Sequence, residues 1–466
     1  METLKKSQKP MFTRDKLIKL IIPLIIEQLL MVTVGIADTI MVASAGEAAV
    51  SGVSNVNTIA ILMILVFSAL ASGGSVVVAQ AIGNRNKKMA DSSANQLLFL
   101  CIISSVLLMG LSLCISDWLL NTIYGNVAED VMEASSTYFF LMALSFPFLA
   151  VYDACASLFR VMGNSNISML ASAIMNVINI IGNAILIYGY GMGVAGAAIA
   201  TLASRIIVTL LMLVLIRRPG WNVRVSLVTM AREGFTKDIT KKILIVAVPM
   251  ALENSMFQVG KLLTQRIIAN FGTPSNAANA CGSNLETFCT IAGSAIGLAL
   301  VTVVGQCVGA GEYKQARSYA KKMILVAYAC MVASCGIMIL FAPEVVGLFG
   351  YGREATVKSI IIIRYYGIMC SLIWPLAFTL PNALRSAGDA RFTMIVSMAS
   401  MWLCRIVMAY VLGPYMEKNV FIEGFGMGIL GVWIAMTLDW VVRTIFFVAR
   451  FSGHKWETKA LVKATA

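Results

Sequence analysis

Long apolar runs recur from position 17 to position 450, and they decide which solvent this chain folds in. Each run can cross about 30 Å of hydrocarbon at about 1.5 Å per residue. In lipid every backbone N–H and C=O must be satisfied within the protein, and runs of this length do so as helices. The approximate spans are 17–43, 53–80, 95–120, 135–159, 168–189, 194–216, 243–270, 285–307, 320–342, 358–384, 393–413 and 427–450. Composition supports this: 59% of residues are hydrophobic and only 13% charged, against about 25% charged in a soluble domain. Such a chain could not cover its own surface in water. The expected fold class is an all-α integral membrane protein with twelve transmembrane helices. The first run follows basic residues, and Ala43-Ser44-Ala45 looks like a cleavage site. But the run is too long for a signal peptide and holds Glu27 and Asp38, so it reads as a retained helix.

The net charge is +13, which in a soluble protein would suggest nucleic acid. Here the basic residues sit in alternate loops, so no nucleic-acid partner is expected; the bilayer is the partner. One set of loops holds Lys5, Lys6, Lys9, Arg85, Lys87, Lys88, Arg217, Arg218, Lys241, Lys242, Lys314, Arg317, Arg391 and Lys455. The other set is nearly bare of them. By the positive-inside rule both termini are cytoplasmic in a multi-pass cell-membrane protein. The organisation is then a cytoplasmic tail 1–16, a six-helix lobe 17–216, a cytoplasmic linker 217–242, a six-helix lobe 243–450 and a cytoplasmic tail 451–466. A monomer is expected.

Catalysis has little to work with. The ten cysteines are scattered, mostly in apolar segments, and no CxxC occurs. They read as small buried hydrophobes. The only histidine, His454, lies in the polar tail, so neither a resident metal nor histidine chemistry is expected. GxSxG and HExxH are absent. The chain reads as a non-enzyme without a cofactor.

The two halves repeat one design. Pro23-Leu24-Ile25-Ile26-Glu27 returns as Pro249-Met250-Ala251-Leu252-Glu253, and Gln80-Ala81-Ile82-Gly83 as Gln306-Cys307-Val308-Gly309, both at an offset of 226. Arg160-Val161-Met162-Gly163 matches Arg385-Ser386-Ala387-Gly388 at 225, and Gly191-Met192-Gly193 matches Gly426-Met427-Gly428 at 235. Ordered matches at a near-constant offset mark a duplication. Six spans per half give both halves one orientation. Parallel repeats of this kind place a cavity between them and work by rocking.

Further stretches are Gly35-Ile36-Ala37-Asp38-Thr39-Ile40-Met41-Val42, Leu158-Phe159-Arg160-Val161-Met162-Gly163-Asn164, Asn179-Ile180-Ile181-Gly182-Asn183 and Ala383-Leu384-Arg385-Ser386-Ala387-Gly388-Asp389. With these the chain resembles, over essentially its full length, the multidrug and toxic compound extrusion (MATE) family. The resemblance implies an antiporter that expels drugs and metabolites in exchange for H+ or Na+. It also implies two six-helix lobes in a V around a central cavity. The sequence departs from two branches of that family. One has an aspartate where Asn183 stands. Another has an acidic pair that falls on Phe257 and Trp374 here, so a second cation site is not expected.

A charge at the centre of a membrane helix costs roughly 2.5–3.5 kcal/mol on insertion scales, so each one is a candidate. Asp38, Asn179, Asn183 and Thr201 fall at similar depth in the half away from the termini, with Asn179 and Asn183 on one helix face. The resemblance implies that they meet as a cation-coupling site. A carboxylate ringed by neutral oxygens suits Na+ or a proton; the alternative is a hydrogen-bonded structural cluster. Glu27 and Asp153 share a depth nearer the termini and read as a relay or cavity lining, with an Asp153–Arg160 ion pair open at the mouth. Met31, between Glu27 and Asp38, reads as lining. Glu253 reads as an acidic attractor for cationic substrates or as part of a network with Lys261, Arg266 and Glu286. Asp439 and Arg443 read as a structural i,i+4 pair that Arg405 could share. The expected cargo is small, amphipathic and often cationic. The rival reading is a flippase for lipid-linked precursors or polysaccharides, which should place more arginines along the cavity.

Overall fold

A computed structural model describes residues 10–462 apart from 126, 227–228, 230–231, 233, 414, 418–419 and 423–426. Lys5, Lys6, Lys9, the end of the tail and Gly426 therefore lie outside the described residues. Among the described residues twelve helices are long and apolar enough to cross a membrane. The first six are α1 (Arg14–Ala43), α2 (Glu47–Gly83), α3 (Lys87–Tyr124), α4 (Glu129–Val161), α5 (Ser165–Gly189) and α6 (Gly193–Ile216). The second six are α7 (Lys237–Ala269), α8 (Thr273–Gly309), α9 (Tyr313–Leu340), α10 (Arg353–Ser386), α11 (Ala390–Leu412) and α12 (Gly428–Ser452).

Several helices overrun the spans expected from hydropathy. α3 begins at Lys87 rather than 95, because its polar first turns keep helical hydrogen bonds outside the apolar run. Asn86 caps it, its side-chain oxygen accepting the Met89 N–H at 3.0 Å. Its 38 residues measure about 57 Å, well beyond the hydrocarbon. The α1–α2 and α7–α8 connections turn on Gly46 (φ 105°) and Gly272 (φ 84°), the left-handed region that glycine tolerates. The two glycines are separated by the repeat offset. Two features were not read from the sequence. A short helix, Ala342–Gly347, follows α9, and a small antiparallel hairpin, Tyr415–Glu417 with Val420–Ile422, lies between α11 and α12.

The halves are not cleanly separate in space. Leu20 and Leu24 of α1 share a core with Leu300, Val303 and Val304 of α8. Ile243 and Ala247 of α7 share a core with Val77 of α2 and Phe159 of α4. The first helix of each half thus packs on the second helix of the other, near the face carrying the termini.

That face is sealed by the repeated Gln-x-x-Gly motif. Gln80 Nε2 donates to the Ser386 carbonyl at 2.7 Å, and Gln306 Nε2 donates to the Val161 carbonyl at 2.7 Å. The two bonds are related by the repeat. A Cβ on Gly83 would collide with the Gln306 carbonyl oxygen, and one on Gly309 with that of Gln80. Glycine lets the lobes touch backbone to backbone. The segment after α12, which reads in sequence as a polar tail, is docked here. Trp456 is wholly buried, and the N–H groups of Leu461 and Val462 donate to Gln80 Oε1 at 2.8 and 3.0 Å.

Gly83→Val should therefore force the lobes apart on this face. A cysteine placed at Ala79, fully buried in the protein, should become at least about tenfold more reactive to a water-soluble maleimide, the change a shift of about 1.4 kcal/mol between open and closed states produces. Unchanged labelling would mean that the contact does not hold the face closed.

Candidate functional site

The cluster around Asp38 assembles from three helices. Asn183 Nδ2 donates to Asp38 Oδ1 at 2.7 Å. It also lies 3.4 Å from Asn179 Oδ1. Asn179 Nδ2 in turn donates to Thr201 Oγ1 at 3.1 Å. Local structure explains the meeting. Gly182 lets α5 approach α6 so closely that a Cβ there would stand 2.9 Å from the Ala200 Cβ. After Asn183 the helix widens into a π-helical segment, Ala184–Gly189, a feature common at functional sites. Asn179 and Asn183 are buried, yet Asn183 Oδ1 has no hydrogen-bond partner. A buried acceptor left unmade costs about 1–3 kcal/mol. The amide turns Nδ2, not Oδ1, to Asp38, so Asn183 adds an oxygen beside the carboxylate only if its amide rotates. No cluster of three or more His, Cys, Asp and Glu occurs among the described residues; the groups gathered here are one carboxylate, two amides and a hydroxyl.

Asp38 opens on a cavity of about 710 Å³ between the halves. Gly35, Thr39, Asn57, Tyr138 and Arg205 line it from the first half, and Gln258, Lys261 and Gln265 from α7. Every lining stretch is at the helix end away from the termini, so the cavity lies on the face opposite the seal. Arg205 was missed in the sequence reading, which sorted basic residues by loop. The insertion cost that singled out Asp38 applies equally to an arginine inside α6. Its guanidinium donates to Ser145 Oγ.

Other expectations need correction. Glu27, 2% exposed, is not a free relay: its carboxylate accepts from Arg160 Nη2 at 2.7 Å and from Ser168 Oγ at 2.9 Å. Arg160 turns to Glu27 and not to Asp153, which has no ion pair among the described residues. Glu253 does not join Lys261, Arg266 or Glu286. It binds Arg385 at 2.6 Å, and the repeat that matches Glu27 with Glu253 also matches Arg160 with Arg385. Each half thus carries the same clasp between its first helix and the end of its fourth. Met31 is 57% exposed beside Gln28, outside the cavity lining. The Asp439–Arg443 pair forms as expected, at 2.8 Å and buried. Arg405 does not share it, and lies instead 5.3 Å from the ring of Phe257. At the repeat offset Asp38 falls on Thr264, so the second half has no counterpart to the carboxylate.

A model of the family described as MatE matches residues 23–185 and 249–411, two stretches separated by the repeat offset. The chain is 28% identical over 457 residues to a probable multidrug resistance protein NorM of Thermotoga maritima, covering 96% of this chain and 94% of the relative. It is 26% identical over 469 residues to an uncharacterized transporter, YisQ, of Bacillus subtilis, covering 97% of each. Two solved structures share the fold. One is described as the outward-facing conformation of a multidrug resistance MATE family transporter, with a TM-score of 0.85 at 21% identity, covering 94% of this chain and 95% of that one. The other is a MOP superfamily transporter from Pyrococcus furiosus, described by a binding pocket of reverse polarity, with a TM-score of 0.85 at 22% identity over 94% of this chain and 96% of that one.

The clasp makes a stability prediction. Glu27→Gln leaves the Arg160 guanidinium without its counter-charge and should cost about 3 kcal/mol or more in unfolding from lipid nanodiscs. The double variant Glu27→Leu with Arg160→Met should recover most of that loss. A single variant as stable as the wild type would show that the pair is dispensable.

Proposed function

Because the chain belongs to the MatE family of transporters, we propose that it is a cation-coupled antiporter exporting small amphipathic organic molecules by alternating access. A multi-pass protein in the bilayer with two pseudo-symmetric lobes has the architecture for that motion. The loop charges support termini on the cytoplasmic side, and in that frame the cavity faces outward and the Gln80–Gln306 seal closes the inner side. H+ or Na+ enters from outside and binds at Asp38, with Asn179, Asn183 and Thr201 supplying neutral oxygens. Neutralising Asp38 changes which hydrogen bonds Asn183 can keep and repacks α1 against α5 and α6. That repacking displaces cargo from the cavity. Release of the cation on the inner side resets the lobes.

One observation carries the reading: a half-buried carboxylate bonded to Asn183, whose own amide oxygen is buried and unpartnered. The names of the relatives support drug export. Arginines pair with Glu27 and Glu253, so the case for cationic cargo rests chiefly on Asp38 in the cavity. The flippase alternative draws some support from Arg205 and Lys261 along the cavity, but about 710 Å³ is the size of a small-molecule site.

In proteoliposomes carrying an imposed pH or Na+ gradient, Asp38→Asn should abolish gradient-driven transport. Wild-type rates against a gradient in that variant would overturn the assignment. Asn183→Leu keeps the branched outline and removes one hydrogen bond to the carboxylate. That bond favours the ionised form, so with H+ as the coupling ion its loss should lower the H+ concentration for half-maximal transport about tenfold, the worth of a charged hydrogen bond near 1.5 kcal/mol; with Na+, which loses an oxygen ligand, the half-maximal concentration should rise. The gradient that drives the wild type identifies the ion.

A further inference from the structure

The second half holds a different kind of site. Lys261, exposed on α7, and Arg405, 4% exposed on α11, both line a recess of about 110 Å³. Lys261 and Gln265 line the recess and the central cavity alike, so the recess is a side arm of that cavity. None of the ion pairs among the described residues involves Lys261, Arg405 or Arg205. Burying a guanidinium with no counter-ion is costly. The ring of Phe257 and the Met401 sulfur, 3.7 Å from Nη1, are its direct contacts; Asp439 and Glu286 act on it only from beyond ion-pair distance, and Arg405 Nε has no partner. Trp433 lines the same recess, is 3% exposed, and its indole N–H is also unpartnered. Two buried groups that can only donate, beside a free ammonium, lack an acceptor. Glu286 is the one acid in the recess, against two cations. Around the cavity and its arm, Arg205, Lys261 and Arg405 face Asp38 and Glu286.

We infer that this arm is the headgroup pocket for the cargo, and that the cargo is a small amphipathic organic anion, a carboxylate or sulfonate. The inference rests on the antiport reading and specifies its substrate. The anionic headgroup sits between Lys261 Nζ and the Arg405 guanidinium and accepts from the Trp433 indole. The recess has room for one such group, and Val432, Met436 and Ile268 supply apolar contact beside it. Lys261 and Arg405 stand 5.6 and 5.3 Å from the centre of the Phe257 ring, which holds both at the same side chain. The lobes then divide the work by charge, with the coupling cation in the first and the cargo's anion in the second.

Three molecules of nearly one shape test this: 1-naphthalenesulfonate, 1-naphthylmethylammonium and 1-naphthylmethanol, each titrated calorimetrically into the full chain in nanodiscs. The sulfonate should bind at least about tenfold tighter than the ammonium. Lys261→Gln and Arg405→Gln should each weaken the sulfonate about tenfold, the loss expected for one charged hydrogen bond, and leave the alcohol unchanged. Lys261→Arg and Arg405→Lys should restore affinity to within about threefold, since they keep the charge. If Arg405→Gln fails to fold, Lys261→Gln on the exposed side decides alone. Tighter binding of the ammonium, no binding of the sulfonate, or sulfonate affinity unmoved by the glutamine variants each overturns the inference. The titration uses no ion gradient, so a wrong assignment of coupling to Asp38 appears only in vesicle transport.

Discussion

A charge buried away from water must find its counter-charge inside the protein, and the polar architecture of this chain follows from that constraint. Glu27 meets Arg160, Glu253 meets Arg385 and Asp439 meets Arg443, at 2.7, 2.6 and 2.8 Å. Removing either partner of such a pair costs about 3–5 kcal/mol, a large share of any domain's stability. The first two pairs fix helix against helix within each half, and the third lies within α12. The same constraint makes the exceptions informative. At contact distance Asp38 meets an amide and not a cation, and Lys261 and Arg405 lie by an aromatic ring and pair with no carboxylate. Among the charges left without an ion pair in the described residues, Asp38, Arg205, Lys261 and Arg405 line the cavity or its arm, while Asp153 lies outside that lining.

The duplication turns one local solution into a machine with two ends. The clasp and the Gln-x-x-Gly contact occur in both halves and lie toward the terminus face. There symmetry seals the lobes, through bonds from Gln80 and Gln306 to each other's half and through glycines that admit direct backbone contact. At the opposite end the halves diverge. Asp38 faces Thr264 across the repeat, and Gly35 faces Lys261. The symmetric contacts thus close one face, and the asymmetric residues line the cavity at the other. The docked segment after α12 adds a third element to the seal, bonded to Gln80 from the end of the chain.

The number of helices, the duplication and the Asp38 cluster were legible because each rests on a pattern local in sequence. Hydropathy marks spans, an offset marks a repeat, and counting residues along a helix gives depth. Depth allowed Asp38, Asn179, Asn183 and Thr201 to meet, the family resemblance implied that they do, and hydrogen bonds join them. Depth also put Glu27 and Asp153 at one level, and they do lie near enough to feel each other, but Glu27 is held by Arg160 and is not free. Arg160 lies near the same level, and which carboxylate it takes depends on helix rotation and on Ser168 completing the site. Arg405 illustrates the same limit. It lies on α11, with Asp439 and Arg443 a turn apart on α12, but Arg443 alone reaches the acid.

The sequence by itself determined the solvent, the helical class, the twofold repeat and which residues are too costly to bury without purpose. These follow from composition and spacing along one chain. Tertiary structure alone decided which charges cancel and which stay open. Pairing inside lipid depends on a few ångströms between side chains on different helices, and on rotations that hydropathy does not encode. That decision paired Glu27 and Glu253 with arginines and brought Arg205, Lys261 and Arg405 to the fore.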